Sequence, residues 1–245
     1  MKLGIFQENL KLALYHNFIK SLRIPQPDFM QARCFSLFSF LFLFGMSSTS
    51  AQPQWKLKTD QDGVQVYMQT GGSSAFKPVK TVTVVTASLT RVAAVLLDVM
   101  RTPEWVYGTK SCSILKQESP NAVYYYAEIA MPWPVKNRDF IIKITMSQQE
   151  QTRVITVLAE NKPDYLPAKS NLVRIQHSAG KWTITPLPDG KVKIEYVLEV
   201  DPGGMLPASI VNMFSYDGPF KSFKRLQERA DLAVYANAKF GFIKD

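Results

Sequence analysis

Few side chains in this 245-residue chain are of a type and spacing that could act on a substrate. From Val123 to Ala130, Tyr124, Tyr126 and Glu128 alternate with Val123, Tyr125, Ala127 and Ile129. A period of two puts each set on one face of a strand. If the first set looks inward, Glu128 becomes a buried carboxylate that must find a partner, because an unpaired buried charge is costly. Glu128, Tyr124 and His177 could then serve as acid and base groups in a cavity. The competing reading is that Glu128 is solvated and the aromatic set is merely core. His177, at the end of a short strand, also reads as a packed or turn-capping histidine.

Other chemistries find no footing. No GxGxxG, P-loop, GxSxG or HExxH sequence occurs, and the two cysteines, Cys34 and Cys112, lie in no CxxC or zinc-ligand spacing. No metal and no cofactor is expected. Twenty-nine Lys and Arg against 20 Asp and Glu give a charge of +9, which favours anionic partners. The lysines are scattered rather than gathered on one face, which argues against nucleic acid and leaves anionic lipid surfaces.

The elements that would position these residues are strand-rich from Gln52 onward. Trp55 to Thr59 and Val64 to Thr70 flank Asp62-Gly63, a two-residue hairpin signal. Val79 to Thr86 is rich in Val and Thr and reads as a third strand. Leu89, Val92, Ala93, Leu96, Leu97 and Met100 then recur at helical spacing, with Ser88 or Thr90 as a cap and Pro103 as the stop. Further strands are expected at Cys112 to Glu118, Val123 to Ala130, Phe140 to Ser147, Arg153 to Leu158, Leu172 to Gln176, Lys181 to Thr185 and Lys191 to Val200. A last helix is expected from Pro207 to Asn237. Its apolar stripe is Ile210, Met213, Phe214, Phe220, Phe223, Leu226 and Ala230, and Lys221, Lys224, Arg225 and Arg229 lie on other faces. Gly218-Pro219 falls inside it, where the missing proline N–H should kink or break the helix and mark a hinge. The order is α+β, a curved antiparallel sheet around a long C-terminal helix.

The first 51 residues read as a segment to be removed. Cys34 to Met46 is an uncharged apolar run of signal-peptide length, too short to span a bilayer, and Thr49-Ser50-Ala51 offers small residues for cleavage before Gln52. Met30 would be the simpler start, with Arg33 as the positive flank. Losing Lys2, Lys11, Lys20, Arg23 and Arg33 with Glu8 and Asp28 lowers the charge from +9 to +6. Cys112 is then alone and reads as a small buried apolar residue. The expectation is an exported, periplasmic, soluble and monomeric domain over residues 52–238, with a short tail at 239–245.

Met131 to Phe140 (MPWPVKNRDF) and Asp201 to Phe214 (DPGGMLPASIVNMF) resemble the START domain, the lipid-transfer family related to the steroidogenic acute regulatory protein. Asn137, Arg138, Asp139 and Phe140 are the most specific piece, supported by Trp105 in the TPEW segment. The resemblance implies a helix-grip fold, in which the sheet clasps the last helix and one hydrophobic ligand sits in a tunnel between them. It implies binding and transfer of a lipid rather than catalysis, with Trp105, Tyr124, Tyr126, Glu128, Trp182, Tyr196, Met213 and Phe214 as candidate lining residues. Gly218 and Pro219 would act as the gate, and the basic residues of the last helix would meet an anionic membrane. Sterol-binding members carry a buried arginine where this chain has Ile144, with Lys143 on the opposite face. That departure leaves phospholipid, fatty acid or another amphiphile. A cyclase-type cavity enzyme and an interaction module with a filled core are the competing readings.

Overall fold

The computed structural model describes residues 54–71, 76–204, 206 and 208–245. The expected signal segment, Met30 and Cys34 lie outside the described residues. Ten strands form one sheet among those described: β1 (Gln54–Gln61), β2 (Val64–Thr70), β3 (Val79–Thr86), β4 (Thr109–Ser119), β5 (Ala122–Ile129), β6 (Arg138–Gln148), β7 (Ile155–Asn161), β8 (Val173–Arg174), β9 (His177–Leu187) and β10 (Lys191–Asp201). The order across the sheet is β1-β2-β3-β10-β9-β7-β6-β5-β4, antiparallel throughout, with the two-residue β8 added in parallel to β6.

The first hairpin forms where the sequence puts it. Gln61 pairs with Val64, and Asp62 and Gly63 both take positive φ (52° and 72°), the geometry that matches the twist of the flanking strands. After β3, α1 (Leu89–Leu97) is capped by Ser88, whose hydroxyl accepts the Arg91 N–H. It ends earlier than expected, at Asp98. Met100 falls in a 3₁₀ turn (Val99–Arg101) and is 52% exposed, and Pro103 opens a short helix, α2 (Thr102–Trp105), instead of stopping one. Pro is tolerated there because a first-turn N–H has no helical partner anyway.

The strand expected from Arg153 begins at Ile155, because Arg153 takes φ 60° in the preceding turn. The one expected from Leu172 shrinks to β8, and His177 instead opens an 11-residue strand.

The expected C-terminal helix is three pieces: α3 (Ala208–Asn212), a π-helical turn (Met213–Asp217) and α4 (Gly218–Ala230). A π turn directly ahead of Pro219 shifts the hydrogen-bond register where the proline N–H is missing. The Ser215 hydroxyl donates to the Val211 carbonyl (2.7 Å) within this turn. Phe223, Leu226 and Ala230 of α4 are buried in the hollow of the sheet. Gln227 ties α4 to β3 by donating to Thr83 Oγ1 (2.7 Å) and to the first hairpin through the Asp62 carbonyl (3.3 Å). Ile210 of α3 is buried too, whereas the side chains of Met213 and Phe214 lie outside those described.

The last residues do not form a loose tail. Tyr235 and Ile243 are buried, and Phe240 and Phe242 pack against the core. The Lys244 N–H donates to Gln148 Oε1, and Gln148 Nε2 donates back to the Lys244 carbonyl (both 2.7 Å). The Asp245 carboxylate accepts the Thr90 N–H (2.8 Å). The segment therefore belongs to the domain.

Candidate functional site

Between the sheet and α4 lies a cavity of about 190 Å³. Its shape follows from where side-chain volume is missing. Ile144, Ala159, Gly180 and Leu198 pair in one row across β6, β7, β9 and β10, so the middle of the concave face carries only a methyl group and a hydrogen. Tyr196 leans over that gap: a Cβ built on Gly180 would lie 2.7 Å from the tyrosine oxygen. Trp182 stacks on Tyr196 (centroids 3.9 Å apart, 16° between planes) and on Phe223 of α4 (5.6 Å, 5°), and meets Trp105 edge-on (6.1 Å, 65°). Sheet, α2 and α4 thus join in one aromatic wall.

Of the expected lining residues, Trp105, Trp182 and Tyr196 do line the cavity, and so do Gly218 and Pro219. Tyr124, Tyr126 and Glu128 do not: β5 turns its other face inward, and Tyr125, Ala127 and Ile129 line the cavity. The reason is the carboxylate. On the outer face Glu128 reaches Lys110 (3.0 Å) and accepts from Asn137 (2.8 Å), partners an apolar interior does not offer. The Asn137 amide, with Lys110 second, holds its pKa below the usual glutamate range. Tyr124 stacks on Tyr165 (5.0 Å) beneath Lys143, and the Tyr126 hydroxyl accepts from Lys169 (3.1 Å). A clue lay in the sequence: the set Val123, Tyr125, Ala127 and Ile129 is the one without a charge.

Arg138 and Asp139 do not form a pair with each other, since neighbours on a strand point to opposite faces. Asp139, fully buried, takes two hydrogen bonds of 3.0 Å from Arg174, which also donates to the carbonyls of Pro163, Leu166 and Pro167. Arg138, 3% exposed, donates to the carbonyls of Lys136, Pro202 and Gly203. It holds the turn leading into α3, where Gly203 and Gly204 take φ of 71° and 72°, a conformation costly for any residue with a Cβ. Burial without an acidic partner lowers its pKa. Asn137 accepts the Met131 N–H (2.9 Å), and Phe140 lines the cavity.

Among the described residues, no Asp, Glu, Lys, Arg or His lines the cavity. His177 is exposed at the start of β9. Ile144 stands on the cavity wall and Lys143 on the outer face, paired with Glu118 (2.6 Å). The polar groups that remain are neutral. Tyr125 and Tyr196 line the cavity with hydroxyls that have no hydrogen-bond partner among the described residues, and Thr81, Thr102, Thr109 and Ser178 add short ones. Burial pushes both phenol pKa values up, and Tyr196 and Cys112 add to the effect on Tyr125. The Cys112 thiol is pushed by burial to about 11, against the opposing pull of Thr102, and so stays protonated and weakly nucleophilic at neutral pH. The Trp105 indole N–H is buried without an acceptor among the described residues. No group of three or more His, Cys, Asp or Glu among the described residues is placed to hold a metal ion.

Fold and site together define a helix-grip domain with an apolar, uncharged interior. The START domain profile matches residues 46–234, so the chain belongs to the START family. It is 32% identical over 189 residues to an uncharacterised protein of Pseudomonas aeruginosa, covering 77% of this chain and 93% of that one. A solved STAR-related lipid transfer protein fragment from Xanthomonas axonopodis superposes with a TM-score of 0.67 at 30% identity, over 73% of this chain and 99% of that one. Human STARD10 superposes with a TM-score of 0.61 at 22% identity, over 84% and 81%, which shows the shared fold.

Proposed function

We propose that the domain binds one hydrophobic ligand between sheet and C-terminal helix and transfers it between membranes. The observation that carries this reading is a wall of aromatic and aliphatic side chains that contains no charged group among the described residues. The Xanthomonas axonopodis relative, named a lipid transfer protein, supports it. The groups on which a cyclase-type reaction would draw, Glu128, Tyr124 and His177, are not cavity residues. The cavity between sheet and α4 likewise gives no support to an interaction module with a filled core.

The gate we assign to Gly218 and Pro219 is part of the proposal. Both residues stand on the cavity wall, next to a π turn where the helical ladder is already interrupted, so opening there breaks few hydrogen bonds. Contact with an anionic membrane would fall to Lys221 and Arg225, which are exposed. Lys224 is 3.5 Å from Asp62, and Arg229 pairs with Glu104. Export to the periplasm through the Cys34 to Met46 segment, and action as a soluble monomer, complete the reading.

Native mass spectrometry of the chain purified from a lipid-containing host, followed by organic extraction, tests the proposal. One unaltered lipid per chain is the expected result. An empty protein that takes up no lipid from vesicles would overturn it, and a ligand recovered with altered mass would favour the enzyme.

A further inference from the structure

The interior has hydrogen-bonding capacity that nothing in the described protein uses, and all of it is neutral. Tyr125 projects from β5 and Tyr196 from β10, so the two phenols come from well-separated strands of the sheet order and meet only through its curvature. Both line the same cavity, and Tyr196 is near enough to add to the upward pull on the Tyr125 phenol. Neither hydroxyl has a partner among the described residues, in a wall that otherwise carries Trp105, Trp182, Phe223, aliphatic side chains and a few short hydroxyls such as those of Thr81 and Ser178. A hydroxyl carries one donor and two lone pairs, and burying it against hydrocarbon alone forfeits the hydrogen bonds it makes in water. An ionised headgroup in the same place would meet no counter-charge among the described residues and would lose its hydration without compensation.

We infer that the cavity selects amphiphiles whose buried polar group is an uncharged oxygen function, an ester, ketone or hydroxyl, with Tyr125 and Tyr196 as its hydrogen-bond partners. The inference rests on the carrier reading above and narrows it. Carboxylate and phosphate groups stay outside the cavity or are not bound, and the hydrocarbon chain packs against the aromatic wall and the hollow over Ala159 and Gly180. Both side chains are held for the role: Tyr196 is stacked on Trp182, and Tyr125 stands on a central stretch of β5 paired on both sides, to Ile114 of β4 and Ile142 of β6.

Three probes of equal chain length separate the possibilities: decane, methyl decanoate and, at pH 8, decanoate. Binding is read from the emission of Trp105 and Trp182 in a Trp55→Phe/Trp133→Phe background, which removes the two indoles that do not line the cavity. The full chain is compared with its Tyr125→Phe/Tyr196→Phe variant. The double substitution is expected to weaken methyl decanoate roughly tenfold, about 1.4 kcal/mol, and to leave decane unchanged or tighter. Decanoate is expected to bind more weakly than its methyl ester to the unsubstituted chain. Should the double variant fail to fold, Tyr125→Phe and Tyr196→Phe taken singly are each expected to weaken the ester alone, by about threefold. Equal weakening of decane and ester, decanoate binding as tightly as the ester, or uptake of vesicle lipid without binding of any probe would each overturn this inference while leaving the carrier reading intact. Failure to take up either the probes or vesicle lipid would overturn both.

Discussion

The two faces of β5 carry opposite chemistries a few ångströms apart. Inward, Tyr125, Ala127 and Ile129 border a cavity with no charge on its described walls. Outward, Tyr124, Tyr126 and Glu128 are covered by Lys143, Lys169 and Lys110. The strand next to it repeats the division: Phe140, Ile142 and Ile144 face the cavity, while Asp139 and Lys143 hold ion pairs behind it. The pleat thus lets one pair of strands supply an apolar container on one side and electrostatic fastening on the other. Substitutions on the outer face should act on stability and leave ligand uptake alone, whereas those on the inner face should reduce uptake.

The sharpest test of the outer face is Asp139→Ala. It strands the Arg174 guanidinium, whose side chain is 4% exposed, without its carboxylate. A loss of about 3–5 kcal/mol is expected, read as a lower denaturant midpoint. A loss below about 1 kcal/mol would show that the carbonyls of Pro163, Leu166 and Pro167 suffice to hold the arginine.

Gly180→Ala tests the inner face. The new methyl group would lie 2.7 Å from the Tyr196 oxygen, 3.0 Å from its ring and 3.2 Å from the Ala159 Cβ, so the phenol must swing into the cavity. Strain of about 1–3 kcal/mol is expected, together with loss of most lipid uptake from vesicles. Unchanged uptake would break the link between this hollow and the ligand.

Pro219→Ala restores a helical N–H beside the π turn and should slow ligand exchange severalfold, with little change in equilibrium uptake. An unaltered exchange rate in stopped-flow transfer between vesicles would remove the hinge from the mechanism.

The smallest effect belongs to Glu128→Gln, at less than about 1 kcal/mol for a partly exposed pair. Its sign is set by pH. Asn137 and Lys110 lower the folded-state pKa, so their stabilising contribution is present above the unfolded value and fades as pH falls through the folded one. The difference between Glu128→Gln and the unsubstituted chain should therefore shrink on acidification below the normal glutamate range. Ligand uptake should not change; if it does, Glu128 is coupled to the cavity after all.

Much of this architecture was legible in the chain itself. Asp62-Gly63 dictated a hairpin, the Val- and Thr-rich run of β3 and the apolar–charged alternation of β10 dictated half-buried strands, and Gly218-Pro219 announced a break in the last helix, because each signal is local and acts through backbone conformation or side-chain period. The inward face of β5 was not settled by its period, since alternation says which residues share a face and never which face meets the core. Partners far along the chain decided it: Lys169 comes from the loop after β7, and the Phe223 that closes the cavity comes from α4. Likewise Arg138 and Asp139 stood side by side in sequence, but the fold gave one to Pro202 and Gly203 and the other to Arg174. The residues by themselves determined strand, turn and helix break. Only the tertiary structure determined the hollow, because a cavity is made where distant rows of side chains, here Ala159, Gly180 and the aromatic wall around them, fail to fill the space they enclose.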